Sequence, residues 1–376
     1  MTAAKQGTWE TPLLITVTAA LVMFGIAAVY GASSIVALQQ GEPGSSFMWR
    51  QVTGALIGAV LFVAASRIDY HNWERFAWPI LLTVVVMLLI VLIPFLQPLT
   101  REVNGARRWI DLKFFSFQPA EFAKFAAVAW TAMLATKKGD QIREFKSGLL
   151  PFLVVIGPLA GLVLVEPALS MSVSICLLAA IVLFAAGAKI GHFLMLLMVA
   201  MPFLWQQIMT VHYRFQRWST FFSPGTDVAE SSWQIRQSLI GIGAGRIFGQ
   251  GFGQGTQKMG YLPYGYSDFI FSTIGEEWGF IGVVALLGLF GVFVWLGLKI
   301  AEQAQDRFGT LLAVGITSMI GVTAFLHIAV TLGVVPTTGL PLPFVSFGRS
   351  NLIVSMFAAG VLANIGDRSM GRSKRW

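Results

Sequence analysis

The chain has 376 residues, of which 56% are hydrophobic and 12% charged, with a formal net charge of +8, and its mean hydropathy is +0.72. That balance excludes an ordinary soluble domain and describes an all-α, polytopic integral membrane protein. Topology accounts for the basic excess, and nothing in the sequence supports nucleic acid as a partner.

A crossing helix needs about 20 mostly apolar residues. The sequence predicts about ten transmembrane helices, over 12–31, 49–65, 78–97, 119–136, 149–165, 168–187, 190–209, 269–298, 310–334 and 343–365. The first span is full length, and Gly31-Ala32-Ser33-Ser34 matches a cleavage site only weakly, so the span is expected to stay. Glu166-Pro167 divides two short spans with a tight turn, because proline resists helix continuation. Cations gather at Lys137, Lys138, Arg143 and Lys146 and in the tail at Arg368, Arg372, Lys374 and Arg375, whereas the short loops opposite hold only Arg50 and Arg349. The positive-inside rule then places both termini in the cytoplasm and Asp268 on the far side. The expected organisation is one membrane domain over 1–376, a long extracytoplasmic loop at 210–268 between helices 7 and 8, and a basic cytoplasmic tail at 366–376.

Two further groups of cations fall where topology does not call for them. Arg101, Arg107, Arg108 and Lys113 precede the fourth span, and Arg214, Arg217, Arg236, Arg246 and Lys258 precede the eighth. An anionic ligand such as a lipid phosphate would use them, guanidinium groups binding bidentately and ammonium groups as point charges. Each taken singly is equally well read as a side chain snorkelling to the headgroups. The long loop is rich in aromatics, with a turn expected at Ser223-Pro224-Gly225-Thr226-Asp227 and an amphipathic surface helix at 231–240. The glycines from Gly241 to Gly255 have neither nucleotide-loop spacing nor a Gly-Lys-Ser/Thr ending, and read as a mobile or closely packed loop.

Asp268 ends this loop beside the apolar run Phe269-Ile270-Phe271. A carboxylate costs about 2.5 to 3.5 kcal/mol at a helix centre and less near the interface, so one kept here implies a wet cavity or a cationic partner. A helical wheel puts Asp268, Ser272, Gly275 and Gly279 on one stripe with Glu276 at its edge. Glu276 and Glu277 read preferentially as a buried polar brace between helices, and otherwise as a supporting carboxylate deeper in the cavity. Glu121 and Lys124, after Gln118-Pro119, can meet at i,i+3 as a structural lock or as cavity lining. His71, His192, His212 and His327 lack metal spacing, and Cys176 stands alone in an apolar span, so all five read as packing or interface residues.

Together these motifs resemble the SEDS family of FtsW and RodA glycan polymerases. The resemblance covers nearly the whole chain. It rests on Gly105-Ala106-Arg107-Arg108-Trp109-Ile110, Phe117-Gln118-Pro119-Ala120-Glu121-Phe122-Ala123-Lys124, Gln237-Ser238-Leu239-Ile240, Gln257-Lys258, Ser267-Asp268-Phe269-Ile270-Phe271 with Gly275-Glu276-Glu277, and Pro336-Thr337-Thr338-Gly339-Leu340-Pro341-Leu342-Pro343-Phe344. The last motif leans toward the FtsW branch. The resemblance implies a peptidoglycan glycosyltransferase of the bacterial cytoplasmic membrane that polymerises lipid II by inverting transfer and releases undecaprenyl diphosphate. Asp268 matches the essential acid and would be the general base, while Arg108, Lys258, Arg246, Gln257 and Ser267 would bind substrate. Glu121, Lys124, Glu276, Glu277 and Ser346 would be structural or cavity-lining. The expected partners are a class B penicillin-binding protein and other divisome or elongasome membrane proteins. No cofactor is obligatory, although a divalent cation, Mg²⁺ or Mn²⁺, bridging diphosphate and carboxylate is compatible. Tyr264 and Tyr266 stand where relatives usually carry Glu and His, Ala168 and Ser170 where they carry Asp and Gly, and Arg349 adds a charge within a usual Gly-Gly-Ser-Ser run. The alternatives are a lipid II flippase and a non-catalytic scaffold for the transpeptidase.

Overall fold

The computed structural model describes residues 9–93, 95, 99–103, 106–111, 116–222 and 230–369. Gly105, Lys113, the turn expected at 223–227, and the tail from 370 onward, with its Arg372, Lys374 and Arg375, lie outside the described residues.

The chain is a multi-pass helical bundle. In order it forms α1 (Glu10–Gln39), α2 (Ser46–Arg67), α3 (His71–Arg75), α4 (Ala77–Leu92), β1 (Thr100–Val103), β2 (Ala106–Asp111), β3 (Ser116–Phe117), α5 (Pro119–Lys138), α6 (Leu150–Val165), α7 (Leu169–Ala185), α8 (Ile190–Met209), α9 (His212–Phe222), α10 (Glu230–Ala244), α11 (Ile270–Gln303), α12 (Arg307–Thr331) and α13 (Arg349–Ser369). Among the described residues, seven apolar helical segments are long enough to cross a membrane, α6 counting together with the helical turn Phe145–Leu149 before it, and α4 and α7 are shorter apolar ones. The tenth helix, α5, carries Glu121, Lys124, Lys137 and Lys138. Each predicted span therefore has its helix.

The ends differ for local reasons. α4 stops at Leu92 because Ile93 is extended, as the residue before Pro94 must be. α13 starts at Arg349, not at 343, since Phe344 turns left-handed with φ 65° and Leu342 and Val345 form a turn before it. α6 and α7 do separate at Glu166-Pro167. The first cationic loop is not irregular: it forms a three-stranded antiparallel sheet in the order β1-β2-β3. The alternation along β2 sends Arg107 outward to Glu102, at 3.1 Å, and Arg108 inward.

α13 is the central helix, packed along α2 and touching α1, α5, α11 and α12. Around it lies a core in which Phe125, Trp130, Phe152, Phe293, Phe308 and Phe344 are fully buried. α8 is the exception, burying only Ile208 and leaning mainly on α9. A polar clasp closes the end opposite the long loop. Arg368 meets Asp69 at 2.5 Å, His71 joins Asp69 and Asp306, the Tyr70 hydroxyl donates to Asp306, and Asp306 caps α12 by accepting from the Gly309 N–H.

α11 is 34 residues long, about 51 Å, well beyond the roughly 30 Å hydrocarbon layer. It breaks at Gly279, where φ is 64°, and the glycine loop repairs the break. The Glu276 and Glu277 carbonyls accept from Gln250 and Gly251, while Phe280 and Ile281 donate to Arg246 and Ile247. All four groups that the kink frees are thus bonded, which is how broken helices survive in membranes. Such closeness requires glycine: a Cβ at Gly245 would lie 1.9 Å from the Gly275 carbonyl oxygen. The glycine run is accordingly closely packed. The amphipathic helix expected at 231–240 exists within α10, but it packs on α11 and does not lie free on a surface. Ser238 donates to the Thr331 carbonyl at 2.8 Å and accepts Ser272 at its own carbonyl at 2.7 Å.

Candidate active site at the loop end

Asp268 precedes α11, whose first residue is Ile270, so the wheel that placed it on a helical stripe with Glu276 does not apply. It sits in a turn built on the Tyr264 carbonyl, which accepts the N–H groups of Ser267, Asp268 and Phe269. Tyr264 itself is left-handed, with φ 57°. Such a non-glycine conformation is unfavourable and has to be held by its surroundings. Ser346 supplies one restraint, its hydroxyl donating to the Ser267 carbonyl at 2.7 Å and accepting the Leu342 N–H at 2.8 Å. Phe347 donates to the Tyr266 carbonyl at 3.0 Å, and behind the turn the Tyr266 ring packs edge-on against Phe47 and Phe347, which are tilted against each other.

In front of the turn, the Asp268 carboxylate faces the loop that carries Gly339, where a Cβ would come within 3.6 Å of Oδ2. Burial pushes the Asp268 pKa up, while the Arg217 guanidinium, the Ser267 hydroxyl and Arg108 pull it back. Arg217 is held in place by the Thr337 carbonyl at 3.3 Å and by the Tyr213 ring. Arg108 comes from β2 and donates Nε to the Glu166 carbonyl at 2.9 Å and Nη2 to the Pro167 carbonyl at 2.8 Å. Arg214 is buried and anchors α9 to the end of α8 through Gln207. One carboxylate therefore faces a cationic wall of Arg108 and Arg217, between the β-sheet, α9 and the Thr337–Gly339 loop.

Of the residues predicted as a site, Asp268, Ser267 and Arg108 come together, with Ser346 as their support. Lys258 and Gln257 do not join them. Lys258 is buried, with Nζ 3.0 Å from Glu277 Oε1 and 3.0 Å from the Gly31 carbonyl, and such a paired cation cannot present itself to a ligand. The main chain of Gln257 binds Glu276, which also accepts the Thr256 N–H at 2.7 Å and its hydroxyl at 2.8 Å. Glu276 and Glu277 thus tie the glycine loop to α11 from within. Arg246 is exposed beside the α11 kink, its backbone committed to Phe280. Glu121 and Lys124 meet at 2.8 Å deep in the bundle, where Asn351 also donates to Glu121.

Two participants were not singled out from sequence. Arg217 was one cation among many; its signal is the spacing of Tyr213, Arg214 and Arg217 on one polar helix, α9. Glu166 stands out in the sequence only as part of the Glu166-Pro167 turn. It is 1% exposed, both its carboxyl oxygens are buried without a hydrogen-bond partner, and burial raises its pKa to about 8 against the pull of Arg108. No cluster of three or more His, Cys, Asp or Glu able to hold a metal occurs among the described residues. The Asp268 carboxylate, with Arg217 and Arg108 bearing on it, is not by itself a chelating set.

The sequence and the fold match known proteins. Residues 11–370 fit the family model of cell cycle proteins that groups FtsW, RodA and SpoVE. A probable peptidoglycan glycosyltransferase FtsW from Trichlorobacter lovleyi is 43% identical over 353 residues, covering 94% of this chain and 92% of that protein. Stage V sporulation protein E of Bacillus subtilis is 36% identical over 354 residues, 94% of this chain and 96% of its own. Among solved structures, a peptidoglycan synthase complex described as coordinating polymerization and crosslinking superposes with a TM-score of 0.76 at 25% identity, over 95% of this chain and 97% of that one. The Thermus thermophilus Rod shape determining protein RodA gives 0.68 at 25% identity, over 94% and 96%.

Proposed function

The chain belongs to the FtsW/RodA/SpoVE family of cell cycle proteins, and from that membership we propose that it is a peptidoglycan glycosyltransferase that polymerises lipid II with Asp268 as general base. The bundle acts as one membrane domain with both termini in the cytoplasm, so that the loop end faces outward, where the lipid-linked disaccharide is presented. An acceptor sugar hydroxyl loses its proton to Asp268 as its oxygen bonds to the donor's anomeric carbon. The bond from that carbon to the diphosphate breaks on the opposite face, inverting the centre. Undecaprenyl diphosphate leaves with the electron pair.

The observation that carries this reading is the placement of one half-buried carboxylate before two guanidinium groups, Arg217 and Arg108. Burial makes Asp268 a stronger base than a solvated aspartate, and a positioned base contributes roughly 100- to 10,000-fold. The cations would take up the charge that develops on the diphosphate, and the rest of the acceleration would come from aligning two lipid substrates. Arg108 keeps that role and Arg217 takes it over from Lys258, which is already paired inside the protein. With the diphosphate met by Arg108 and Arg217, no step is routed through a metal.

The partner is a class B penicillin-binding protein, since the synthase complex that superposes on this chain is described by both polymerization and crosslinking. Purified protein reconstituted with such a transpeptidase and given lipid II should form glycan strands, and Asp268→Ala and Asp268→Asn should abolish them with the complex intact. Transbilayer movement of lipid II that survives Asp268→Ala, without any glycan product, would instead identify a transporter. A wild type that only binds the transpeptidase would identify a scaffold.

A further inference from the structure

Glu166 is a buried ionisable group that the mechanism above leaves unused. It lies in the α6–α7 turn with both carboxyl oxygens unpartnered, although buried polar groups are nearly always bonded. Beside it, Arg108 spends its two described hydrogen bonds on neutral main-chain carbonyls, those of Glu166 and Pro167. The turn is pinned from a third side by the Tyr213 hydroxyl, which donates to the Pro167 carbonyl at 3.1 Å. Arg108 is therefore held by the backbone of the very residue whose side chain can change its electrostatic surroundings.

We propose that Glu166 is a positioning residue acting through Arg108: its neutral carboxylic acid leaves the guanidinium charge available to the lipid diphosphate, and its ionised carboxylate withdraws that charge. This rests on the assignment of Arg108 to the diphosphate made above. A carboxylate without a donor is costly to bury, so the acid is the resting form. The other ionisable groups nearby are few. α4 and α6 carry none, α7 carries only Cys176, α9 contributes His212, Tyr213, Arg214 and Arg217, β2 adds Arg107 and Asp111 beside Arg108, and Asp268 shares the field of Arg108. Deeper in the bundle, on α5 and α12, Glu121 and Lys124 satisfy each other and His327 bonds the Leu340 carbonyl. Arg108 is the cation whose charge bears on Glu166. The raised pKa, about 8, puts the switch just above neutrality.

Linkage makes the proposal testable. If an anion on Arg108 opposes ionisation of Glu166, then ionisation must weaken the anion by the same factor. The probe is undecaprenyl diphosphate, titrated into the reconstituted wild-type complex. Its affinity should fall about tenfold between about pH 7 and about pH 10, the equivalent of one pKa unit, and by no more than about twofold in Glu166→Gln, the neutral isostere. Near pH 8, calorimetry in buffers of differing ionisation enthalpy should show net proton uptake by the wild type, up to about half a proton per ligand bound. That measurement needs no variant, and cationic neighbours acting on the ligand's own phosphate would release protons instead. Absence of uptake, or an equal alkaline loss in Glu166→Gln, would overturn the proposal. Binding with proton uptake but without glycan synthesis would fault the polymerase assignment and leave the linkage standing. Glycan synthesis without uptake would do the reverse.

Discussion

At the scale of single residues, Asp268 and Lys258 show opposite uses of charge. The Asp268 pKa is raised by burial and pulled back by Arg217 and Arg108. A general base must be deprotonated, so activity should fall as pH drops through a pKa lying above the ordinary aspartate value of 3.8. Arg217→Gln removes one of the groups holding that pKa down and should move the acid limb of the rate profile upward by about one pH unit; an unmoved limb would mean that Asp268 does not set it. Lys258 and Glu277 are a closed pair instead. Removing one partner strands a buried charge, so Lys258→Met or Glu277→Gln alone should cost about 3 to 5 kcal/mol, and the double replacement clearly less than their sum. Chemical denaturation of the three variants would decide it. Much of the site was legible as residue types: an acid at a polar-apolar boundary and cations where topology did not want them. Which cation stands near Asp268 was not legible, because one basic side chain in the long loop looks much like another until tertiary structure pairs Lys258 with Glu277 and brings Arg217 toward Asp268.

At the scale of elements, hydropathy announced each crossing helix because about 20 apolar residues in a row have few other fates. Elements outside the bilayer were less visible. The β1–β3 sheet is short and masked by charge, and α9, although Phe215, Trp218 and Phe222 line one side of it, is too short and too polar overall to register as a crossing helix. A helical stripe through Asp268 does not form because α11 starts two residues later and Asp268 lies in the turn before it. Glycine was informative once its neighbours were known. A Cβ at Gly279 would lie 2.2 Å from the Gly249 nitrogen, on a backbone with φ 64°. Gly279→Ala should therefore lower stability by more than about 2 kcal/mol. Gly288, on the same helix with nothing within 4 Å, is the control: Gly288→Ala should be neutral or stabilising. Thermal unfolding in detergent would separate the two.

At the scale of the whole molecule, orientation fixes function, since a lipid-linked sugar is polymerised only where it is presented. In a Cys176→Ala background, Tyr261→Cys should react with a membrane-impermeant thiol reagent in intact cells, and Glu144→Cys only after permeabilisation. The reverse pattern would turn the site toward the cytosol and remove the proposed reaction. The bundle is held unevenly, with α13 enclosed on every side and α8 nearly unattached. The splice between the glycine loop and α11 has a consequence for biogenesis. Residues 246–251 leave the ribosome before 276–281, so the donors and acceptors that complete the broken helix are made first. A nascent chain can complete the break as soon as it emerges, whereas a circular permutant that moved the loop behind α11 would have to insert that helix with its peptide groups bare.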